Sequence, residues 1–273
     1  MKKIFKNQKL NEQILDKGFV VVPFLSQFEV QELVKFYSEV HADKKAPFTT
    51  FFSCDTILKD KVDTKIKEIF SRATDEYLDA FIPYWGNFFS KEISTPRLPL
   101  HADLQYVNED NSISLNIWCP LSDTDSTNGT LGVIPYSHKL INQIRGTNIT
   151  DSYRKHALEL ETLYGEAINF KAGQAIIYDH RLLHYSTPNQ TAQTRVAATL
   201  TVVPKGENIF HFFAENEGDT LIEQYLLPSP QSLYSSDFLQ RPKGLSPIKI
   251  IADYEFKPIT TMDYECILKD STN

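Results

Sequence analysis

Apolar residues in the early part of the chain recur at helical spacing, with one short interruption. Asn11–Lys17 is predicted to form a short helix that ends at Gly18, the residue type favoured just after a helix. The run Phe19–Phe24 that follows is short and apolar, which favours a strand. The chain therefore begins with a helix and a strand in quick succession.

Two longer helices are predicted after this strand. Ser26 begins the first, because Glu29 stands three residues later and completes the pattern of a capping box. The second spans Asp60–Phe81, whose apolar residues make one broad stripe, and Pro83 is expected to end it. Because a helix that packs on a sheet needs such a face, we interpret residues 1–96 as a mainly helical layer.

From Arg97 onward the pattern changes to short strands separated by turns. Ile113–Cys119 alternates strictly, with apolar residues on one face and Ser114, Asn116 and Trp118 on the other. Further strands are predicted at Thr130–Pro135, Ala167–Phe170, Gln174–Asp179, His184–Ser186 and Thr194–Val203. Strands at this spacing predict a mainly β protein with flanking helices, built on a jelly-roll, cupin-like core, the double-stranded β-helix.

The length of the chain suits one domain made of these parts. With 273 residues, 41% of them apolar, the chain has enough apolar material for a real core. We expect residues 97–204 to form the β core and residues 141–163 to interrupt it as a partly helical insertion, a feature that is often functional. Residues 205–273 carry a weaker pattern, which fits a cover over the barrel mouth, an added edge strand or a subunit contact.

Charge and cysteine content exclude several classes of partner. The net charge is -7 and no basic cluster is present, which argues against nucleic acids and anionic membrane surfaces. The cysteines Cys54, Cys119 and Cys266 are far apart, so neither a disulfide framework nor a zinc knuckle is predicted. No stretch is long and apolar enough to span a bilayer. We expect a soluble, cytoplasmic protein with a small-molecule partner, and the pattern leaves its oligomeric state open.

The candidate chemistry begins with His101 and Asp103. Residues two apart in an extended run point to the same face, so this imidazole and this carboxylate make half of a metal site. A second histidine would complete the two-histidine, one-carboxylate triad that holds non-haem Fe(II). Taken alone, the pair more often belongs to a histidine and an aspartate that are hydrogen-bonded in a loop at the end of a strand.

Two histidines further on, His180 and His184, compete for the remaining position. Residues four apart share a face of a helix, but the preceding Gln174–Tyr178 is strand-like, which disfavours a helical zinc motif. A regular strand would put both histidines on the same face, so periodicity leaves the choice between them open.

Several short motifs together resemble one known family. They are His101-x-Asp103, Trp118-Cys119-Pro120-Leu121-Ser122-Asp123, Asn128-Gly129-Thr130-Leu131, Pro135-Tyr136-Ser137-His138, and His184-Tyr185-Ser186 with Asn189 and Arg195. The chain resembles the phytanoyl-CoA dioxygenase family of Fe(II)/2-oxoglutarate-dependent oxygenases over roughly residues 12–204. Two positions depart from the family pattern. Tyr136 stands where glycine is common, and Ala102 stands where a polar residue is frequent between the ligands.

The resemblance implies a set of site residues. It makes His101, Asp103 and His184 the iron ligands, and Arg195 the partner of the distal carboxylate of 2-oxoglutarate. Ser186 is expected to help Arg195, and Trp118 and Asn116 are expected to line the pocket, although both also suit plain inward packing. His184 is favoured over His180 because Ser186 lies two residues on and Arg195 begins the returning strand.

The function that the resemblance implies is an Fe(II)- and 2-oxoglutarate-dependent dioxygenase. With O₂ it would convert 2-oxoglutarate to succinate and CO₂ and hydroxylate an unactivated C–H bond of a small metabolite, such as an amino acid or a natural-product intermediate. An intact Asp103 favours hydroxylation over halogenation, and desaturation or ring closure stays open. Without a basic cluster a coenzyme A thioester is disfavoured as the substrate. The alternative is a cupin-like barrel that binds a small ligand or metal without catalysis.

Overall fold

Two antiparallel sheets form the core of the structure, a computed structural model that describes residues 3–42, 48–229, 232 and 240–271. The strands are β1 (Phe19–Pro23), β2 (Phe81–Lys91), β3 (Leu98–His101), β4 (Leu115–Pro120), β5 (Leu131–Val133), β6 (Glu166–Ala167), β7 (Gln174–Asp179), β8 (His184–Ser186), β9 (Arg195–Pro204), β10 (Phe210–Phe213), β11 (Ile222–Leu226) and β12 (Lys249–Ile251). The helices are α1 (Gln8–Lys17), α2 (Gln27–Val40), α3 (Thr56–Tyr77), α4 (Ala157–Tyr164) and α5 (Thr261–Ser271).

The two core sheets make the predicted double-stranded β-helix. One sheet has the order β1-β7-β4-β9-β2 and the other the order β3-β8-β5-β6, with antiparallel pairing throughout both. Between them lies an apolar cluster to which the first sheet contributes Trp118 and Ile176 and the second contributes Leu131 and Val133. The expected jelly-roll fold is therefore confirmed.

Helices α1 to α3 cover the outer face of the five-stranded sheet. Leu115, Ile117 and Cys119 on β4 are fully buried there, on the face that strict alternation predicts. Helix α3 approaches β2 closely, since a Cβ on Gly86 would lie 2.8 Å from Ile66. The helix ends also follow the sequence: Gly18 ends α1 in a left-handed conformation, and Ser26 and Glu29 form the predicted capping box.

The strand β2 is a correction to the sequence analysis. We expected one helix over Asp60–Phe81, stopped by Pro83, but α3 ends at Tyr77 and Phe81–Lys91 pairs with β9 along its whole length. Pro83 is tolerated because β2 is an edge strand and its register shifts between Pro83 and Trp85. Residues 1–96 therefore contribute both edge strands of the larger sheet as well as the helices.

The C-terminal segment packs on the insertion. β10, β11 and β12 form a sheet of their own, and within the described residues no strand after Pro204 joins either core sheet. The backbones meet at Thr147, whose carbonyl accepts from the Ala214 N–H at 3.0 Å, and Tyr264 of α5 donates to the carbonyl of Pro135 at 2.7 Å. No helix in the described part of the chain has the length and apolar character that a membrane span needs.

Candidate active site

The structure brings His101, Asp103 and His184 together at one end of the barrel. β3 and β8 pair so that His101 lies opposite His184, and the two ring centroids are 4.1 Å apart. Asp103 follows β3 directly. The possible ligand atoms of the three side chains all lie within 4.8 Å of one another, a spacing that suits a single metal ion.

Backbone carbonyls orient both imidazoles. His101 Nδ1 donates to the carbonyl of Pro99 at 2.8 Å, and His184 Nδ1 donates to that of Leu182 at 3.0 Å. A carbonyl only accepts, so Nδ1 carries a proton in both rings, and Nε2 is the nitrogen that remains to face a metal. Burial, with His101 nearby, lowers the pKa of His184 to about 4, so this ring is neutral at pH 7.

Asp103 is held in its charged form. Its N–H donates to the carbonyl of His180 at 2.9 Å, and Asn116 Nδ2 donates to its Oδ2 at 3.3 Å. Burial acts to raise the pKa of Asp103, but the surrounding imidazoles, above all His184, outweigh it and keep that pKa below its ordinary value. Two imidazoles and one carboxylate are the donor set that non-haem iron(II) prefers.

His180 lies beside Asp103 and outside this group of three. Its Nδ1 lies 2.7 Å from the Ser114 hydroxyl oxygen, and its Nε2 lies 3.9 Å from Asp103 Oδ2. The side chain is almost fully buried. The sequence left His180 and His184 as alternatives, and it is His184 that the structure groups with His101.

Tyr178 is a site residue that the sequence analysis did not single out. Its hydroxyl lies 3.3 Å from His184 Nε2 and accepts from Asn116 Nδ2 at 2.9 Å. Burial, followed by the charge of Asp103, raises the pKa of Tyr178 well above its ordinary value, so the hydroxyl keeps its proton. Alternation along β7 puts Tyr178 on the same face as Ile176, and the sequence gives no reason to prefer it to other inward residues.

Arg195 begins β9 inside the barrel and is 3% exposed. Its Nη1 donates to the carbonyl of Phe89 at 3.3 Å, while its Nε has no hydrogen-bond partner. The Trp118 ring lies 5.4 Å from its Cζ. Burial lowers the pKa of Arg195 to about 10, and no acidic side chain of the described residues forms an ion pair with it. A buried guanidinium with an unused N–H is a site for an anion.

A second buried cation, Lys91, lies opposite Arg195 in the pairing of β2 with β9. Its Nζ donates to the carbonyls of Pro96 at 3.0 Å, Ser186 at 3.4 Å and Thr187. Burial, helped by Arg195, lowers the pKa of Lys91 to about 7. Ser186 itself is buried on β8, two residues after His184. Lys91 thus ties the end of β8 to the strand that faces Arg195, and the sequence analysis did not single it out.

A cavity of about 310 Å³ adjoins the group of three. His101, Asp103 and Asn116 form part of its wall, and aromatic side chains form much of the rest. A larger hollow of about 830 Å³, between the N-terminal residues and Arg181, contains none of the three. The smaller cavity is the one that gives a bound molecule access to His101 and Asp103.

The two departures from the family pattern have local structural settings. Tyr136 has a φ of 65°, a conformation that glycine adopts without strain and that a tyrosine rarely does. The backbone N–H of Ala102 donates to the hydroxyl of Tyr153 at 2.8 Å, so the insertion contacts the chain between His101 and Asp103. Neither departure removes a donor from the group of three.

Comparison with known proteins defines the class. The model of the phytanoyl-CoA dioxygenase family matches residues 16–197, more than half of the chain. The chain belongs to this family of Fe(II)/2-oxoglutarate-dependent oxygenases. A phytanoyl-CoA dioxygenase from Arabidopsis thaliana is 35% identical over 107 residues, which are 38% of this chain and only 37% of the length of that relative.

Solved structures share the fold at low identity. EvdO2 from Micromonospora carbonacea var. aurantiaca, complexed with 2-oxoglutarate, has a TM-score of 0.52 at 18% identity over 72% of this chain and 91% of that chain. The epimerase SnoN in complex with Fe3+, alpha ketoglutarate and nogalamycin RO has a TM-score of 0.56 at 15% identity over 91% and 95%. The carbocyclase SnoK from nogalamycin biosynthesis has a TM-score of 0.54 at 16% identity over 90% and 96%.

Proposed function

We propose that this protein is an Fe(II)- and 2-oxoglutarate-dependent dioxygenase that hydroxylates a small molecule. His101, Asp103 and His184 would hold the iron, and Arg195 with Ser186 would bind the distal carboxylate of 2-oxoglutarate. The observation that carries the proposal is the conjunction of two sites in one barrel. One is a compact set of two imidazoles and a carboxylate, and the other is a buried guanidinium that has no acidic partner among the described residues.

Each residue of the set has a distinct task. Iron(II), which His101, Asp103 and His184 would hold, would supply the chemistry by which 2-oxoglutarate and O₂ give succinate, CO₂ and a hydroxylated substrate carbon. Asn116 fixes the orientation of Asp103 through its amide N–H, and Trp118 covers one side of Arg195. Arg195 can bond both oxygens of a carboxylate in parallel, which fixes the position of the cosubstrate as well as its affinity.

The direct test is Asp103→Ala. Without the sole anionic ligand we expect the protein to lose most of its iron and its formation of succinate from 2-oxoglutarate. Asp110→Ala is the matched control, because Asp110 is an exposed carboxylate outside the group of three. Iron content measured by metal analysis, together with succinate measured by mass spectrometry, decides the matter. An Asp103→Ala protein with the iron content and succinate formation of the unaltered chain would refute the proposal.

The alternative is a barrel that binds a ligand or a metal without turnover. It explains the barrel and the histidines, but it gives no reason for the buried Arg195 with an unused N–H. A binding protein would hold metal and form no succinate under any condition.

If the protein does form succinate, a metabolite screen for stimulated 2-oxoglutarate turnover would identify its substrate. The mass of its product separates hydroxylation, which adds one oxygen atom, from desaturation or ring closure, which removes two hydrogen atoms.

A further inference from the structure

The wall of the cavity next to His101 and Asp103 is built mainly from rings. Six aromatic side chains line it, and they come from the segment before α3, from β2 and from the segment that follows Asp103. They are Phe48, Phe51, Phe52, Trp85, Phe89 and Tyr106. Such a surface favours apolar and ring-containing molecules, since burial of apolar area against it is favourable.

The neutral polar groups of the β2 and β9 wall already have partners. Asn87 Oδ1 accepts from the Thr49 hydroxyl at 2.6 Å, and Asn87 Nδ2 donates to Thr199 at 2.9 Å. Trp85 Nε1 donates to the hydroxyl of Thr201 at 2.8 Å. A substrate rich in hydroxyl groups would therefore find few open partners on this wall.

The described part of the cavity wall is also nearly free of formal charge. Of the described residues that line it, only Asp103 carries a carboxylate, and none carries an ammonium or guanidinium group. In the proposed function the Asp103 carboxylate binds the metal and so is not available to pair with a charged group of the substrate. A charged substrate group enclosed here would lose water without gaining an opposite charge, which is strongly unfavourable.

Asn116, in the described part of the wall, has a polar atom without a partner. Asn116 Oδ1 is buried and has no hydrogen-bond partner. The carboxylate of Asp103 only accepts, so the amide nitrogen must face Asp103 and the oxygen must face elsewhere. This oxygen can accept one hydrogen bond from a bound molecule close to the metal ligands.

We infer that the substrate is uncharged where it enters this cavity, that its reacting part is compact and largely apolar, and that it carries a hydrogen-bond donor such as a hydroxyl group. The inference rests on the proposed function, which makes the cavity the substrate site. It disfavours a free amino acid, one of the two substrate classes that the sequence suggested, and favours a neutral ring-containing intermediate.

A binding experiment with matched probes tests this inference. The chain has two tryptophans, and of these Trp85 lines the cavity while Trp118 lies against Arg195. Trp118 is left in place because it covers Arg195, and Trp85 is the tryptophan that reports on the cavity. Its fluorescence would be followed, without oxygen and with Fe(II) and 2-oxoglutarate present, as 1-adamantanol, adamantane-1-carboxylate or 1-adamantylammonium is added. The three probes share one hydrocarbon cage and differ in charge.

We expect the neutral alcohol to bind at least about tenfold more tightly than the carboxylate, and also more tightly than the ammonium, because both ions lose hydration and the aromatic rings offset only part of that loss for the cation. Equal or tighter binding of an ion would overturn the inference, and so would the absence of any response to all three. Trp85→Phe, which keeps Trp118, is the control and should show little change. A Leu104→Lys variant, with an ammonium group added at the wall, should shift the preference toward the carboxylate.

The two proposals can fail separately. The probe experiment measures binding and needs no turnover, whereas the proposed function is tested by iron content and by succinate. A protein that forms succinate but binds the ions best would refute only the inferred substrate class. A protein that forms no succinate would refute the proposed function, whatever the adamantane probes do.

Discussion

Arg195 illustrates at the scale of one residue how a buried charge indicates a binding site for an anion. A guanidinium stays charged in proteins, so a buried one is stable only where oxygen atoms surround it. Here one backbone carbonyl and the face of Trp118 are its described contacts, and Nε donates to nothing. The remaining hydrogen bonds are available to an anion from outside the chain.

Arg195→Leu should therefore weaken the use of 2-oxoglutarate and leave iron binding intact. Loss of a buried charge partner costs about 2 to 5 kcal/mol, so the KM for 2-oxoglutarate should rise steeply. Arg195→Lys keeps the charge and loses the parallel pair of bonds, so its KM should lie between those of the other two proteins. Succinate formation at graded 2-oxoglutarate concentrations gives the three values. An unchanged KM in Arg195→Leu would remove Arg195 from the cosubstrate site.

His180 and His184 make a matched pair for a second test. We expect His184→Ala to be iron-poor and inactive, because it removes one of the three proposed ligands. His180→Ala should keep its iron and lose at most about 10- to 100-fold in activity, as is typical of residues that only support a ligand. Iron content and succinate formation are measured on both proteins. The reverse result would make His180 the ligand and would also end the proposed role of Ser186.

The sequence predicted individual site residues where a short motif concentrated them. His101 and Asp103 follow from spacing, and the resemblance supplied His184 and Arg195. Lys91 was out of reach, because a lone lysine among aromatic residues shows nothing of the three carbonyls that surround it. These carbonyls come from the segment before β3 and from the end of β8, which are close only after the two sheets have formed.

At the scale of elements, local signals predicted the helix starts better than the helix ends. Ser26 and Glu29 fix the start of α2 by contacts within four residues. The end of α3 depends on β2 pairing with β9, which lies more than a hundred residues away along the chain. Aromatic residues between Tyr77 and Phe89 suit a helix stripe and a strand face equally well, so only this long-range pairing decides between them.

The insertion reaches the candidate site through Arg145. Its Nε donates to the carbonyl of Asp103 at 2.7 Å, and its two terminal nitrogens bond the buried carboxylate of Glu109 at 3.0 and 2.6 Å. The side chains of Arg145 and Glu109 are only 6% and 10% exposed. The insertion is thus tied to the backbone of a proposed metal ligand.

Arg145→Met should destabilise the protein by about 3 to 5 kcal/mol, because it leaves Glu109 buried without a partner. Arg145→Met combined with Glu109→Leu should recover much of this loss, since no charge then stays unpaired. Urea unfolding of the single and double variants measures both effects. Equal instability of the double and the Arg145→Met proteins would mean that the bond to Asp103, and not the ion pair, supplies the stabilisation.

At the scale of the whole molecule, the contact between insertion and C-terminal sheet predicts a response to acid. His211 on β10 is buried, its Nε2 lies 3.4 Å from the Thr147 hydroxyl, and burial lowers its pKa to about 4 from 6.5. Between pH 6.5 and about pH 4, His211 is protonated in the unfolded chain and stays neutral in the folded protein. Stability is therefore full above pH 6.5 and falls as the pH drops toward 4.

The contribution of His211 to this loss should reach up to about 3 kcal/mol. His211→Gln has no titrating group, so its stability should depend less on pH between 6.5 and 4 than that of the unaltered chain. Urea unfolding of the iron-loaded proteins at graded pH gives the two curves. Parallel curves would show that His211 is not buried in its neutral form.

The pairing of β3 with β8 has a consequence for how the chain reaches its final fold. Side chains alternate along a strand, so a slip of one residue between these strands would turn one of the two histidines out of the barrel. The strands are short, with four and three residues, and hold their register by few hydrogen bonds. If His101 and His184 are the ligands, metal affinity distinguishes the correct alignment from its neighbours. Metal binding would then favour the correctly paired form of the smaller sheet. Protein folded without metal, in the presence of a chelator, should show more exchange of β3 and β8 amide protons with solvent.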